Sequence, residues 1–222
     1  MSEISTSESS ISEKSGHKNS LSLGLKINLI GDSGVGKTSI INQYISKQFI
    51  TSLATIGLDC YKKTIEIEHY KFNLTIWDTA GQQIYLNLTK NSLRGVDILM
   101  IVFDVTNRKT FKNLEYWYEE IKDILDFNRI IFCLIANKID LEEKQEVFYE
   151  EYFKYSNSIN AKLFETNAIN FDIVNQMFEN SVYYYYEQFL KGTKYLPNLS
   201  DSHRLTIVAD KNTKKKKTKC CS

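Results

Sequence analysis

One stretch of eight residues constrains the fold of this chain more than any other. It reads Gly31-Asp32-Ser33-Gly34-Val35-Gly36-Lys37-Thr38. An apolar run of strand length precedes it, and a segment of helical periodicity follows. The glycines let the backbone curl so that its N–H groups point inward, and the helix adds the positive end of its dipole. This order predicts a phosphate-binding loop, which we extend to Ser39 in the first helical turn.

Two residues of this loop predict more specific contacts. Lys37 is expected to reach the β- and γ-phosphates of a nucleotide, and Thr38 to offer its hydroxyl to Mg²⁺. A glycine-rich turn that arises by chance is the alternative, but the flanking strand and helix disfavour it. The loop by itself does not choose between ATP and GTP.

The middle of the chain alternates apolar runs of strand length with segments of helical period. This pattern is typical of strand–helix units, and it predicts an α/β fold of the P-loop NTPase type, with a six-stranded, mostly parallel sheet covered by helices on both faces. The predicted strands are Leu25–Ile30, Tyr61–Ile67, Phe72–Trp77, Ile98–Asp104, Ile130–Ala136 and Lys162–Glu165. The predicted helices are Lys37–Ser46, Phe111–Leu125, Glu142–Tyr155 and Phe171–Leu190.

The two ends differ in composition from this middle part. Residues 1–22 are rich in serine and too polar to bury a core, so we expect a disordered arm. Residues 23–190 would form the domain, and residues 191–222 a flexible basic tail. The first residues lack the pattern of a secretory leader and no long apolar run occurs, which predicts a cytosolic protein.

Charge, cysteine and histidine content exclude several classes of function. The formal net charge is only +1, so no general affinity for nucleic acid is expected. Cys60 and Cys133 lie far apart in sequence and suggest no disulfide framework. His17, His69 and His203 share no ligand spacing, so a metal site other than one for Mg²⁺ has no support.

A second polar motif follows the apolar run Ile130–Ala136, roughly a hundred residues after the phosphate loop. It reads Asn137-Lys138-Ile139-Asp140. Ligands bind at the carboxyl ends of strands in open α/β sheets, which is where this motif should lie. Asp140 could accept hydrogen bonds from N1–H and the 2-amino group of guanine, and adenine offers neither donor on that edge. The motif therefore favours GTP over ATP.

Together with these two motifs, several further stretches of the sequence form a set of motifs in a fixed order. They are GDSGVGKT at Gly31–Thr38, TIGLD at Thr55–Asp59, KKTIEI at Lys62–Ile67, WDTAGQ at Trp77–Gln82, FDVTNRKTFKNLEYW at Phe103–Trp117 and NKID at Asn137–Asp140. Over roughly Leu25–Leu190 the chain resembles the Ras superfamily of small GTPases, and within it the Rab family most. The resemblance implies a GTP/GDP switch that hydrolyses GTP slowly and regulates vesicle or membrane trafficking.

The resemblance also implies roles for individual residues. Thr55 would meet Mg²⁺ and the γ-phosphate, Asp78 would hold Mg²⁺ through water, and Phe49 would pack on the guanine. Gly81 would donate its N–H to the γ-phosphate, and Gln82 would orient the attacking water. The expected catalytic residues are thus Lys37, Thr55, Gly81 and Gln82, the metal ligands Thr38, Thr55 and Asp78, and the base contacts Asn137, Lys138, Asp140 and Ala168.

The sequence departs from the family in three places. Between Lys37 and Thr55 the chain is one residue shorter than usual, and Gln82 is not followed by the usual Glu-Arg-Phe. Leu58 and Cys60 replace the usual valine and phenylalanine. The guanine loop, residues 165–169, reads Glu-Thr-Asn-Ala-Ile where the family has Glu-Thr-Ser-Ala-Lys. We expect the protein still to bind guanine nucleotides, to exchange them faster, and to recognise partners different from those of ordinary Rab proteins.

The last residues combine the lysine run Lys214–Lys217 with Cys220 and Cys221. Alone they could be a solvated basic tail. With the domain attached, they resemble the double geranylgeranylation site of Rab proteins, which would hold the protein on the cytoplasmic face of an intracellular or plasma membrane, with a cytosolic pool. The four-residue C-a-a-X pattern is not met.

The expected partners follow from the same resemblance. They are a GTPase-activating protein, an exchange factor and effectors at the switch segments, together with prenyl-transfer and lipid-masking factors. The protein itself would be a monomer. Two alternatives stay open at this point: a GTP-binding module with little hydrolysis, and a Ras- or Rho-like signalling GTPase. The rate of GTP hydrolysis distinguishes the binding module from a Rab-like switch. The type of lipid on Cys220 and Cys221 distinguishes the Ras- or Rho-like GTPase from it.

Overall fold

A computed structural model describes residues 21–49 and 55–190 and contains one six-stranded sheet. Its strands are β1 Leu21–Ile30, β2 Leu58–Ile67, β3 Tyr70–Thr79, β4 Ile98–Asp104, β5 Ile131–Asn137 and β6 Lys162–Thr166. They lie in the order β2-β3-β1-β4-β5-β6. All neighbours are parallel except β2 and β3, which form an antiparallel pair. The predicted α/β fold with a mostly parallel sheet is confirmed.

The described part of the chain contains six α-helices, of which the last follows strand β6. They are α1 Lys37–Ser46, α2 Leu86–Ser92, α3 Arg108–Lys112, α4 Leu114–Lys122, α5 Tyr149–Ser158 and α6 Phe171–Tyr185. Two of them begin at asparagine caps, because the side chain of Asn107 accepts from the N–H of Lys109 and that of Asn170 from the N–H of Asp172.

Two predicted helices are each divided in the structure. The helix predicted at Phe111–Leu125 is the pair α3 and α4, which meet at Asn113. The helix predicted at Glu142–Tyr155 is a 3₁₀ turn, Glu142–Lys144, followed by α5. The residues between the 3₁₀ turn and α5 are not helical, because the N–H groups of Glu146 and Val147 both donate to the carbonyl oxygen of Val105.

The other differences concern the ends of elements and one helix without a prediction. Residues Tyr186–Leu190, predicted as α-helix, form a π-helical turn after α6. Helix α2 was not predicted, since it spans only seven residues. Strand β1 begins at Leu21, inside the arm predicted for residues 1–22. The rest of that arm and the predicted tail at 191–222 lie outside the described residues.

Two buried clusters cover the two faces of the sheet. One joins the sheet to α1 and α6 and includes Tyr44, which stacks on Phe178 at 4.0 Å between ring centroids. The other joins it to α4 and α5 and includes Leu114, Trp117 and Ile121. Because helices cover both faces of the sheet, a ligand site is expected in the loops that follow the carboxyl ends of β1, β3, β5 and β6.

Candidate functional site

The loops at this edge of the sheet enclose a cavity of about 540 Å³. Its lining combines five segments that are far apart in sequence: the phosphate loop with the first turn of α1, Phe49 and Thr55 between α1 and β2, the end of β3 with Gly81, the motif at the end of β5, and the loop after β6. The lining residues are Ser33, Gly34, Gly36, Lys37, Thr38, Ser39, Phe49, Thr55, Thr79, Gly81, Asn137, Lys138, Asp140, Leu141, Ala168 and Ile169. A volume of this size suits a small organic ligand such as a nucleotide.

The phosphate loop is held in shape from the motif after β5. The side-chain amide of Asn137 donates to the carbonyl oxygen of Val35 at 2.7 Å, and Nζ of Lys138 donates to that of Gly34 at 2.9 Å. Gly36 has φ 101°, and a Cβ there would lie 2.4 Å from Nδ2 of Asn137. A residue larger than glycine does not fit between the loop and this amide.

Lys37, the first residue of α1, is 5% exposed. Its ammonium donates to the carbonyl oxygens of Gly31 and Asp32, each at 2.8 Å. Burial lowers the pKa of Lys37 to about 8, and the carboxylates of Asp78 and Asp32 oppose this shift. The first turn of α1 has no side-chain cap, so its N–H groups remain available to an anion.

Three oxygen-bearing side chains meet beside this lysine. Oγ1 of Thr38 donates to Oδ2 of Asp78 at 2.5 Å and lies 2.7 Å from Oγ1 of Thr55. Asp78 is fully buried, and its second oxygen, Oδ1, has no hydrogen-bond partner among the described residues. Burial raises the pKa of Asp78, which its hydrogen bond from Thr38 and the charge of Lys37 oppose. Hydroxyl and carboxylate oxygens are the ligands that Mg²⁺ prefers, so these residues fit the ion.

The other end of the cavity is more open. Asp140 is exposed there, and its carboxylate forms no hydrogen bond or ion pair with any described residue. Phe49 and Ile169 are 48% and 58% exposed. Ala168 is buried, and the carbonyl of Ile169 accepts from Nε2 of Gln43 at 2.9 Å, which anchors this loop to α1.

The cavity brings together most of the residues predicted from sequence, but not all of them. Gln82 is exposed and does not line the cavity. Gly31, Val35 and Asp78 are buried behind its wall, and Asp32 does not line it either. Cys220 and Cys221 lie outside the described residues, as do residues 50–54 of the shortened stretch between Lys37 and Thr55.

Some residues of this region had no predicted contact with a ligand. Thr79 lies inside the stretch Trp77–Gln82, Leu141 directly follows Asn137–Asp140, and Ile169 was noted only as a departure from the family, and all three line the cavity. Gln43 supports the cavity from α1, and nothing in its sequence position indicated this. Trp117, the last residue of the stretch Phe103–Trp117, had no predicted role of its own, and its indole donates to Asp32 at 2.8 Å.

The described ranges contain neither a second metal-binding cluster nor a membrane-spanning helix. Within residues 21–49 and 55–190, no group of three or more His, Cys, Asp or Glu side chains could hold a metal ion. No helix in the same ranges is long and apolar enough to span a membrane. Cys60 and Cys133 are free thiols, the first exposed and the second buried.

The fold and the cavity together define a class of protein. A glycine-rich loop between β1 and α1, an oxygen cluster beside its lysine and a carboxylate after β5 make this a nucleotide-binding protein of the P-loop type. Comparison with known families narrows the class. The Ras family model matches residues 26–186, and the chain belongs to the Ras family.

Several relatives match over most of the chain. It is 37% identical to "Ras-related protein Rab-11C" of Dictyostelium discoideum over 69% of each protein. It is 34% identical to "Ras-related protein RABC2b" of Arabidopsis thaliana over 90% of this chain and 94% of that protein. It is 35% identical to "Ras-related protein Rab-13" of Canis lupus familiaris over 70% of this chain and 76% of that protein.

These matches confirm the resemblance seen in the motifs. The chain is a small GTPase, most like the Rab proteins, and its family assigns it guanine-nucleotide binding, GTPase activity and a function in membrane trafficking. The Ras- or Rho-like alternative is not favoured.

Proposed function

We propose that this protein is a Rab-like GTP/GDP switch whose nucleotide and Mg²⁺ occupy the cavity at the carboxyl edge of the sheet. One observation carries the proposal. The same cavity is lined at one end by a glycine-rich loop with the buried ammonium of Lys37, and at the other by the unpaired carboxylate of Asp140. A phosphate chain and a guanine base match these two ends in charge and hydrogen bonding.

At the phosphate end, we assign Lys37 to the β- and γ-phosphates and the loop N–H groups to the phosphate oxygens. Thr38, Thr55 and Asp78 would hold Mg²⁺, the last through water. The ion, when bound, neutralises charge on the β- and γ-oxygens. Ser39 would add a contact from the first turn of α1.

At the base end, Asp140 would accept from N1–H and the 2-amino group of guanine. The N–H of Ala168 would donate to the guanine oxygen, and Asn137 and Lys138 keep this loop fixed to the phosphate loop. Phe49 would cover one face of the base. Adenine would leave the carboxylate of Asp140 unpaired, which disfavours ATP.

We assign hydrolysis to Gln82, which would orient water toward the γ-phosphate, with the N–H of Gly81 stabilising that phosphate. Without an arginine from a partner, turnover of this type is slow, on the order of 10⁻⁴ to 10⁻³ per second. The loss of the γ-phosphate would release Thr55 and Gly81 together. Ile56 and Ile84, beside these residues, are 81% and 78% exposed, as expected for surfaces that regulators and effectors read.

The test of this proposal is a single-turnover assay with GTP and Mg²⁺ on purified protein. The nucleotide recovered after denaturation should be GDP in the wild type, and Gln82→Leu should slow its formation by roughly tenfold or more because the water loses its orienting group. Gln83→Leu, the same change one residue later, is the matched control and should hydrolyse like wild type. Persistent GTP in the wild type would instead indicate a binding module.

We further propose that the domain, whose first strand begins at Leu21, is flanked by an N-terminal arm and by the segment 191–222, and that Cys220 and Cys221 carry geranylgeranyl groups. The composition of the segment 214–221 and the family support this. Mass spectrometry of protein from a eukaryotic host should find two lipids, and Cys220→Ser with Cys221→Ser should move the protein from membranes to the cytosol. Cys60→Ser, which removes the exposed thiol of the domain, should leave it on membranes. A farnesyl group or no lipid would contradict this assignment.

A further inference from the structure

The side chain of Asp32 points away from the cavity, toward the start of α4. Its Oδ2 accepts from Nδ2 of Asn113 at 2.7 Å, and its Oδ1 accepts from Nε1 of Trp117 at 2.8 Å. The two donors are four residues apart and therefore share one face of the helix. Trp117 is 1% exposed. One turn of α4 thus holds both oxygens of a carboxylate that belongs to the phosphate loop.

The main chain of the same residue contacts two groups at the phosphate end of the cavity. Its carbonyl oxygen accepts from Nζ of Lys37 at 2.8 Å. Gly81 packs directly on its peptide, because a Cβ on Gly81 would lie 2.2 Å from the carbonyl carbon of Asp32 and 2.3 Å from the N of Ser33. The position of Asp32 therefore sets where the lysine and this glycine stand relative to each other.

We propose that Asp32 is a positioning residue that links α4 to the γ-phosphate end of the cavity. Its hydrogen bonds from Asn113 and Trp117 fix the peptide on which Gly81 packs and from which Lys37 reaches the phosphates. This inference rests on the proposed function, because it requires GTP in the cavity. The carboxylate of Asp32 faces α4 and does not contact the nucleotide itself, so Asp32 acts on the nucleotide only through Gly81 and Lys37.

A consequence distinguishes this role from a purely structural one. GDP lacks the γ-phosphate, so the placement of Gly81 matters for GTP and not for GDP. Loss of the link should therefore speed GTP release more than GDP release and slow hydrolysis. A residue that only stabilised the fold would change the release of both nucleotides by the same factor.

The central experiment compares Asp32→Ala with Asp32→Asn. Alanine removes both acceptors. Asparagine keeps its oxygen for the indole of Trp117, and its amide can donate to Asn113 once that side-chain amide turns over. The dissociation rates of a fluorescent GDP and of a fluorescent non-hydrolysable GTP analogue are measured with Mg²⁺ present. For alanine, the ratio of GTP-analogue to GDP rates should rise roughly tenfold, and asparagine should stay within about twofold of wild type.

A second pair of variants removes one hydrogen bond without removing an aromatic ring. Trp117→Phe loses the bond to Asp32 and should raise the same ratio by about threefold. Trp77→Phe is the matched control, because Nε1 of Trp77 has no hydrogen-bond partner among the described residues. It should leave the ratio unchanged. This pair also decides the question if Asp32→Ala does not fold.

The outcomes separate this inference from the proposed function. If wild-type protein retains neither nucleotide, the proposed function fails and the inference fails with it. If wild type binds and hydrolyses GTP while the alanine and asparagine variants share one ratio, only the inference is wrong. Equal ratios for Trp117→Phe and Trp77→Phe would overturn it in the same way.

Discussion

The two ends of the cavity differ in how completely the chain itself builds them. At the phosphate end, Lys37 is 5% exposed and bonded to two carbonyl oxygens, and Asn137 fixes the loop through Val35. At the base end, Phe49 and Ile169 are 48% and 58% exposed, and the carboxylate of Asp140 has no partner among the described residues. The first end is organised before any ligand arrives, and the second is completed by the base.

This difference indicates which property each end controls. A preorganised site loses little ordering entropy on binding, so the phosphate end should supply most of the affinity, and changes there should be costly. The open base end should govern selectivity and the lifetime of the complex. The predictions below test this division, from the largest expected effect to the smallest.

The strongest test is Gly36→Ala. Its Cβ would lie 2.4 Å from Nδ2 of Asn137, so the amide must move and its buried hydrogen bond to Val35 is lost. We expect nucleotide affinity to fall roughly 1,000-fold, measured by competition with a fluorescent GDP. Gly95→Ala is the control, because Gly95 also has positive φ but open space around its Cβ position. Similar nucleotide affinities in the two variants would show that the phosphate end is not preorganised before the nucleotide binds.

At the base end, Asp140→Asn should change selectivity and not the phosphate contacts. An amide accepts from N1–H but presents a donor toward the 2-position, where guanine has an amino group and xanthine an oxygen. The preference for GDP over xanthosine diphosphate should therefore shift by roughly 100-fold toward the latter. Competition binding of the two diphosphates measures it. An equal loss of affinity for both would mean that Asp140 does not read the base.

The buried charge at the phosphate end predicts a pH dependence. The pKa of Lys37 is lowered to about 8, while an unfolded lysine keeps 10.5, and phosphate oxygens beside the ammonium favour its charged form. Binding should therefore take up a proton above about pH 8, and affinity should fall by up to about tenfold per pH unit there. Calorimetry in two buffers of different ionisation enthalpy measures the uptake.

The same pKa gives an opposite trend for the free protein. Between pH 8 and 10.5 the unfolded state holds more protons on this lysine, so its contribution to the free energy of unfolding increases with pH.

The control for proton uptake on nucleotide binding is the same calorimetric titration near pH 7, roughly one unit below the folded pKa of Lys37, where little uptake remains. Equal uptake at both values would assign the proton to another group.

The smallest expected effect is at Ile169, which stands where the family has a lysine. Ile169→Lys would place a long stem and a cation beside the base, a contact worth about 0.5–1 kcal/mol. Dissociation of GDP should slow by about twofold to fivefold, measured with a fluorescent nucleotide. Ile169→Leu keeps an apolar side chain and should dissociate like wild type. A lysine variant that releases GDP as fast as the leucine variant would place Ile169 outside the reach of the base.

Sequence periodicity predicted the sheet well and the helices less well. All six strands were located, because apolar runs and the flanking motifs mark them. The pair α3 and α4 was predicted as one helix because local periodicity continues through Asn113. The break before α5 depends on the carbonyl oxygen of Val105, more than forty residues away from Val147 in sequence. No local pattern contains that contact.

For the site, the sequence by itself determined the chemical groups. Gly31–Thr38 and Asn137–Asp140 could be picked out because phosphate and guanine each demand particular atoms at particular spacings, and the family resemblance added Asp78 for Mg²⁺. Only the tertiary structure decided how these groups support one another. The hydrogen bonds of Asp32 to Asn113 and Trp117 and of Gln43 to Ile169 join residues 81 to 126 positions apart, and such contacts arise from packing of the whole domain.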